Sequence, residues 1–213
     1  METNRGKLIV FEGVEGVGKS TQVRLLKTYL TETDQIDDFI FVREPGNTEI
    51  SEKIRALLLD KSNGAMTPEC EALLYAASRA QLVGEIILPA IKDGKTVICD
   101  RYYHSSIAYQ GFGRGLGKEY IASINDYAVK NCRPDMVLFL DLAPEAGFRR
   151  KGGADRNDRI ESASMEFFNR VYQGFLTMAQ EDADIFESID CSGQRLETHY
   201  KIIQKMRHTG IIK

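Results

Sequence analysis

The stretch GVEGVGKST at residues 13–21 follows the apolar run KLIVFE at residues 7–12, and these two segments together decide the fold. Residues 13–20 fit the pattern GxxxxGK[S/T], whose glycines let the backbone turn tightly so that successive N–H groups face phosphate oxygens. The pattern requires a buried strand before it and a helix after it, because the helix N-terminus adds a favourable dipole for anions. Residues 7–12 suit the strand, and residues 18–30 carry apolar side chains near helical spacing. The sequence therefore predicts a phosphate-binding loop (P-loop) that uses a nucleoside triphosphate.

The residues of this loop have separate expected roles toward the triphosphate. We expect Lys19 to neutralise the β- and γ-phosphates and the Ser20 hydroxyl to ligate Mg²⁺, which is the predicted cofactor. The other residues expected to bind the triphosphate are Gly13, Val14, Glu15, Gly16, Val17, Gly18 and Thr21.

Strand-like and helix-like segments alternate along the rest of the chain. Further strands are predicted at residues 38–43, 95–100, 135–141 and 185–190. Helices are predicted at residues 18–30, 49–59, 68–91, 119–130, 162–180 and 196–206. This alternation indicates βαβ units, so we expect an α/β fold of three layers, with helices on both faces of a five-stranded parallel sheet. We expect one domain over residues 1–213, with the arginine-rich polar stretch at 149–159 inserted as a lid.

The composition narrows the classes of protein. The net charge is −3, which argues against a general nucleic-acid binder, and no apolar run approaches the roughly 18 residues of a membrane span. The polar N-terminus is followed by an apolar run too short for a secretory signal, so we expect a cytoplasmic protein. The cysteines are widely scattered and fit reduced thiols rather than a metal site: Cys70, Cys99, Cys132 and Cys191.

A P-loop alone does not separate kinases from switches and motors. The guanine-reading element NKxD of GTPases does not occur, and 213 residues leave no room for the coupling domains of a motor. A small acceptor molecule fits better, because arginines at strand ends and in loops suit a site with two phosphate-bearing ligands. These arginines are Arg43, Arg101, Arg114, Arg149, Arg150, Arg156 and Arg159.

Several motifs resemble thymidylate kinases of the bacterial type over nearly the whole chain. They are FEGVEGVGKST (11–21), REPGNTEISEKIRALLLD (43–60), LLYAASRAQ (73–81), DRYYHSSIAYQGFGRGL (100–116), RPDMVLFLD (133–141) and DRIE (158–161). The resemblance implies a homodimeric enzyme that binds ATP and dTMP and transfers the γ-phosphoryl group to form dTDP. The alternatives are a P-loop kinase for another nucleotide or nucleoside, and a regulatory P-loop ATPase without an acceptor.

The resemblance also implies which residues bind dTMP. Tyr75, where the family usually has Phe, would stack on thymine, and Arg79 would hold a base carbonyl and the phosphate. The remaining residues implied at dTMP are Glu15, Glu44, Pro45, Arg55, Arg101, Ser106, Tyr109 and Gln110. Independently of the family, Arg79 is the only cation between Cys70 and Ile91, so it needs an anionic partner or access to solvent. Pro45, in a turn, is a candidate for a cis peptide bond.

Two assignments concern the reacting phosphates. Asp100 and Asp141 both end apolar strands, and we favour Asp100 as the acid near Mg²⁺ because Arg101 follows it. Since the loop contains no arginine, the resemblance implies that lid arginines stabilise the transferring group. In addition to Lys19 and Arg101, we expect Arg150 and Arg156 to be catalytic residues, and Arg159 is an alternative.

Overall fold

The sheet of this protein has five parallel strands in the order β2-β3-β1-β4-β5. The computed structural model describes residues 5–129, 132–150 and 158–213. The strands are β1 (Leu8–Glu12), β2 (Phe39–Arg43), β3 (Thr96–Asp100), β4 (Met136–Asp141) and β5 (Phe186–Asp190). Each lies within one residue of its predicted bounds, and the expected parallel α/β fold is confirmed.

The central strand β1 is buried along its whole length. Its residues are inaccessible to solvent because β3 and β4 flank it in the sheet and helices cover both faces. In the register, Phe11 lies opposite Asp100 of β3, and Glu12 lies opposite Phe139 of β4. The chain segments that follow β1 and β3 therefore emerge side by side at one edge of the sheet, where parallel α/β folds bind ligands.

The helices agree with the predictions in the main, with three differences. The helices are α1 (Lys19–Glu32), α2 (Glu49–Leu59), α3 (Pro68–Leu82), α4 (Leu88–Lys92), α5 (Tyr103–Ser106), α6 (Lys118–Val129), α7 (Pro144–Arg150), α8 (Met165–Glu181) and α9 (Arg195–His208). The helix predicted at 68–91 contains a π-helical turn at Val83–Ile87, and neither α5 nor α7 was predicted. Within the described ranges, no helix is both long and apolar enough to cross a membrane.

A second π-helical segment, Ile107–Gly113, follows α5 directly, in a region without a predicted element. Tertiary packing shapes this segment. A Cβ atom on Gly113 would come within 2.6 Å of Phe167 Cε2, and one on Gly174 of α8 would come within 2.8 Å of the Phe112 ring. The two glycines thus let α8 approach closely, a contact that local sequence preference does not indicate.

Candidate active site

The P-loop folds as its glycine pattern requires. Gly16 and Gly18 adopt φ angles of 76° and 101°, a region that side chains with a Cβ rarely occupy. Lys19, the first residue of α1, turns its ammonium back over the loop and donates to the carbonyls of Gly13 and Val14, each at 2.9 Å. Burial, reinforced by the nearby charge of Arg101, lowers the pKa of Lys19 to about 8. A bound phosphate would reverse this shift by supplying negative charge.

The P-loop rests against α7, the helix that leads into the predicted lid. A Cβ atom on Gly16 would lie 2.2 Å from the Gly147 carbonyl oxygen, and one on Gly147 would lie 2.4 Å from the Glu15 oxygen. Only two glycines permit so close an approach of the backbones. No sequence pattern indicated a role for Gly147, because its partner is distant along the chain.

A cavity of about 950 Å³ opens beside the loop at the carboxyl edge of the sheet. Nearly all of the predicted site residues line it: Glu15, Gly16, Val17, Gly18, Lys19, Ser20, Thr21, Glu44, Pro45, Arg55, Tyr75, Arg79, Asp100, Arg101, Ser106, Tyr109, Gln110 and Arg150. Gly13 and Val14 lie beneath the loop as acceptors for Lys19. Arg156 is outside the described residues.

Arg101 connects the turn after β3 to the P-loop. Its backbone has a φ of 72°, an uncommon left-handed conformation for a residue with a side chain. Its guanidinium donates to Glu15 Oε1 at 2.5 Å, to the Gly13 carbonyl at 3.0 Å and to Ser105 Oγ at 3.0 Å. It also lies over the Tyr109 ring, 5.0 Å from the centroid. Four contacts therefore fix this cation between the loop and the cavity.

Glu12, which belongs to no sequence motif beyond the apolar run of β1, holds the turn that carries Arg101. It is fully buried at the end of β1, and its Oε1 accepts the backbone N–H groups of Tyr102 at 2.9 Å and Ser105 at 3.0 Å. The Ser105 hydroxyl donates to Oε2 at 2.6 Å. Burial raises the pKa of Glu12, while the charge of Arg101 and these hydrogen bonds oppose the rise. Only the folded structure brings this carboxylate to the turn.

Arg79 is almost fully buried on α3, as is its anionic partner Glu44 in the turn after β2. Arg79 Nε and Nη2 both lie 2.7 Å from Glu44 Oε2. Arg79 Nη1 donates to Ser106 Oγ at 3.1 Å and to Asn125 Oδ1. Burial raises the pKa of Glu44 to about 7, and the Arg79 charge limits the rise. Of the two possibilities for Arg79, an anionic partner or access to solvent, the structure shows the first, and the anion is Glu44.

The turn after β2 brings two more cations to the cavity. The Glu44–Pro45 peptide is cis, as considered from the sequence. The Pro45 carbonyl accepts hydrogen bonds from Arg43 Nη1 at 2.6 Å and from Arg55 Nη1 at 3.0 Å. Arg55 of α2 thereby points into the cavity rather than into solvent.

The two acidic candidates for the metal site differ in position. Ser20 Oγ donates to Asp100 Oδ2 at 3.1 Å, and both residues line the cavity. Asp141 instead accepts a hydrogen bond from the Tyr172 hydroxyl at 2.6 Å and is not among the residues around the cavity. A hydroxyl and a carboxylate beside a phosphate site suit Mg²⁺, which takes few protein oxygens and completes its shell with phosphate and water. The donor set thus fits the predicted ion at Ser20 and Asp100.

The described lid arginines point in different directions. Arg150, at the end of α7, donates through Nη2 to the carbonyls of Ser192 at 2.9 Å and Gly193 at 3.0 Å, and it lines the cavity. Arg159 lies beyond the cavity wall, where its Nε donates to the Leu58 carbonyl at 3.0 Å and its Nη2 lies 2.6 Å from Glu71 Oε2. Arg159 is therefore directed at α3 rather than at the phosphate site.

Comparisons with known proteins agree with this geometry. The sequence model of the thymidylate kinase family matches residues 11–202. The chain belongs to the thymidylate kinase family. The thymidylate kinase of Thermoanaerobacter sp. (strain X514) is 41% identical over 95% of this chain and 98% of its own. That of Finegoldia magna is 43% identical over 96% and 99%. A crystal structure of the thymidylate kinase from Ehrlichia chaffeensis superposes with a TM-score of 0.77 at 30% identity, covering 95% of this chain and 99% of that one.

The contact between Gly16 and Gly147 leads to a first prediction for this thymidylate kinase. In Gly147→Ala the new methyl group meets the Glu15 carbonyl, so the P-loop must shift. Because a misplacement of about 1 Å can lower turnover on the order of 10²-fold, we expect kcat/KM for ATP to fall at least tenfold. Steady-state kinetics with varied ATP measures this. The matched control is Gly84→Ala, where nothing lies within 4 Å of the new Cβ. Equal kinetics for the two variants would contradict a role for the contact.

Proposed function

We propose that ATP binds at the P-loop end of the cavity and dTMP at the end formed by α3 and the Ile107–Gly113 segment. As a thymidylate kinase, the protein phosphorylates dTMP to dTDP with ATP as donor, a step in the synthesis of dTTP. The observation that carries the proposed arrangement is one continuous cavity that joins Lys19 and Arg101 to Tyr75, Arg79 and Gln110.

The chemistry follows from the charges along this cavity. The acceptor is a phosphate oxygen that is already anionic, so no strong general base is needed. The γ-phosphoryl group passes in line from ATP to dTMP, and catalysis consists mainly of positioning and electrostatic stabilisation. Lys19 neutralises the donor phosphates. Arg101, held by Glu15, Gly13 and Ser105, bridges the donor and acceptor phosphates from a fixed position.

The nucleoside part of dTMP takes the other end of the cavity. Tyr75 stacks on thymine, while Arg79, Ser106 and Gln110 face the edge of the base. Support comes from the burial of the Arg79–Glu44 pair, which holds the arginine in one orientation. Tyr109 lies below the sugar, and its hydroxyl donates to Glu15 Oε1 at 3.2 Å. Glu15 in turn faces the 3′-hydroxyl, and Arg55 binds the phosphate together with the Glu44–Pro45 turn.

Mg²⁺ accompanies ATP in this proposal. Ser20 and Asp100 would hold it, directly or through water. Bound there, the ion neutralises charge on the phosphate oxygens and orients them.

Lid arginines complete the proposed site. Arg150 already reaches the cavity wall beside the loop after β5, with hydrogen bonds to two backbone carbonyls. Arg150 and Arg156 supply positive charge to the transferring group. The P-loop itself contributes no arginine for this purpose, because its only side-chain cation is Lys19. A lid over the site also excludes water, which would otherwise compete with dTMP as acceptor.

The proposed setting is a homodimer in the cytoplasm. The buried thiols of Cys99, Cys132 and Cys191 suit a reducing compartment. The dimer is supported by an apolar surface on three helices that pack side by side, α2, α3 and α6. Its exposed members are Ile50, Leu57, Leu73, Tyr120 and Tyr127. On α2 and on α6 these residues recur at a spacing of seven, which keeps them on one helix face.

An acceptor panel tests the function directly. We expect ATP to yield a diphosphate product with dTMP and little with other nucleoside monophosphates. Lys19→Ala should lower kcat by orders of magnitude because the donor phosphates lose their cation, while the unfolding temperature stays near that of the wild type. Lys27→Ala, on the exposed side of the same helix, serves as the control. Product from a different acceptor, or release of ADP without any acceptor, would instead favour the other kinase or the ATPase.

A third prediction concerns the lid arginines. Because arginines at the transferring group contribute on the order of 10³–10⁵ in turnover, Arg150→Met and Arg156→Met should each lower kcat strongly while the Kd of dTMP changes little. Arg149→Met, an exposed neighbour of Arg150 on the same helix, should retain normal kcat. Rapid-quench kinetics and titration calorimetry separate the two quantities. A kcat within about threefold of the wild type in both variants would place the needed charge elsewhere.

The dimer is tested by sedimentation velocity. The wild type should sediment at twice the mass of the 24.0 kDa chain, and Leu73→Glu should shift it toward the monomer because a charge is buried without a partner. Leu196→Glu, at a similarly exposed leucine on α9, should leave the dimer intact. A monomeric wild type at micromolar concentration would refute the proposed interface.

A further inference from the structure

Glu71 is a buried carboxylate on α3 that the phosphoryl-transfer mechanism does not use. It lies four residues before Tyr75, one helical turn away, and is 1% exposed. Its Oε1 accepts a hydrogen bond from Gln110 Nε2 at 2.8 Å. Gln110 belongs to the π-helical segment Ile107–Gly113 and lines the cavity, whereas Glu71 lies behind it and does not.

Glu71 is held in its ionised form. Its Oε2 lies 3.1 Å from Arg114 Nη2 and 2.6 Å from Arg159 Nη2, and its Oε1 also accepts a hydrogen bond from Arg114 Nε at 3.2 Å. Burial acts to raise the pKa of Glu71, but hydrogen bonds from Arg114 and Gln110 and the charges of Arg114 and Arg159 outweigh it, so the pKa is lowered. An ionised carboxylate has no proton to donate and can only accept hydrogen bonds.

The ionised carboxylate determines which way the Gln110 amide points. An amide has a donating nitrogen on one side and an accepting oxygen on the other, and only the nitrogen can face Glu71. The carbonyl oxygen is therefore turned away from Glu71, and it accepts no hydrogen bond from any residue that the structure describes. Gln110 thus presents an acceptor, rather than a donor, to a base in the cavity.

Arg79 supplies the complementary donor on the same wall. Glu44 takes Nε and Nη2 of the guanidinium, and Ser106 and Asn125 take Nη1. Since Nη2 carries two hydrogens, one N–H remains for a ligand. The cavity wall thus offers one donor from Arg79 and one acceptor from Gln110.

We propose that Glu71 is a positioning residue for base selection, which fixes the Gln110 amide so that the cavity accepts bases with an N–H at ring position 3. Thymine and uracil present that N–H beside the O4 acceptor and satisfy both groups. Cytosine presents a lone pair at N3 beside an amino group at C4. The lone pair would face the Gln110 oxygen, and the amino group would face the Arg79 N–H, so neither hydrogen bond can form. The inference rests on the proposed binding of dTMP with its base near Gln110.

The first test is Glu71→Gln. The Oε2 position faces an Nη2 group of each arginine, whereas the Oε1 position faces Gln110 and Arg114 Nε, so the oxygen of the new amide takes the Oε2 position. Its NH₂ then faces Gln110 and turns the Gln110 NH₂ toward the base. A donor then opposes the N3–H of thymine. We expect the ratio of kcat/KM for dTMP over dCMP to fall at least tenfold. The ratio of dTMP over dUMP should stay within about twofold, because these two bases share the same edge and the carbonyl faces both alike.

An exchange of the two side chains provides the decisive rescue. In the double variant Glu71→Gln/Gln110→Glu, the new amide at position 71 donates its NH₂ to one oxygen of the new carboxylate at position 110. The other oxygen of that carboxylate faces the base as an acceptor, and the number of charges in the cluster is unchanged. The preference for dTMP over dCMP should therefore return to within about threefold of the wild type. A merely structural role of Glu71 predicts no such recovery, and its absence would overturn the inference.

Two further variants keep the outcome decisive. Arg114→Met breaks an ion pair with Glu71 but leaves the bond to Gln110, so the dTMP:dCMP ratio should be unchanged even if the protein is less stable. Gln110→Met keeps the ion pairs of Glu71 and tests base recognition even if Glu71→Gln does not fold. It should lower the ratio at least tenfold, and an unchanged ratio would overturn the inference. A wild type without activity on dTMP would refute the proposed function itself.

Discussion

The parallel pairing of β1 with β3 is the constraint on which the rest of the site depends. It delivers the P-loop and the turn at Arg101 to neighbouring positions at one sheet edge. Glu12 then joins them, since its carboxylate ends β1 and accepts three hydrogen bonds from the turn after β3. A buried carboxylate is costly unless its oxygens are satisfied, and these three donors together with the charge of Arg101 satisfy it. The same interaction therefore stabilises the buried charge and positions the Arg101 cation at the cavity.

Buried charges recur around the cavity in pairs or clusters. Arg79 meets Glu44, and Glu71 meets Arg114 and Arg159. Such pairs add little net stability, because the loss of hydration offsets much of the attraction. What they provide here is orientation: each long side chain is held in one geometry before a ligand arrives. A site that discriminates between bases by donors and acceptors needs this fixed geometry more than it needs added stability.

The two described ends of the predicted lid segment are attached to different walls of the cavity. Gly16 and Gly147 bring α7 into backbone contact with the P-loop, and Arg150 at the end of α7 is tied to the loop after β5. At the far end, Arg159 is tied to α2 through the Leu58 carbonyl and to α3 through Glu71. One end thus contacts the elements around the proposed triphosphate site, and the other contacts the helices around the proposed nucleoside site.

The sequence by itself determined the strands, most helices and the P-loop, because each rests on local spacing: an apolar run, a helical repeat, or glycines before a lysine. It also indicated that Arg79 needs an anionic partner or access to solvent, since an unpaired cation among apolar neighbours is unfavourable. Tertiary structure alone decided that the anion is Glu44, which lies 35 positions away in the chain. It placed Asp100, the acid that the sequence already favoured, beside Ser20 and Asp141 beside Tyr172, and it brought Glu12, Glu71 and Gly147 to the site. These three carry no local motif. Their roles arise from contacts between segments far apart in the chain, which a pattern along the sequence does not encode.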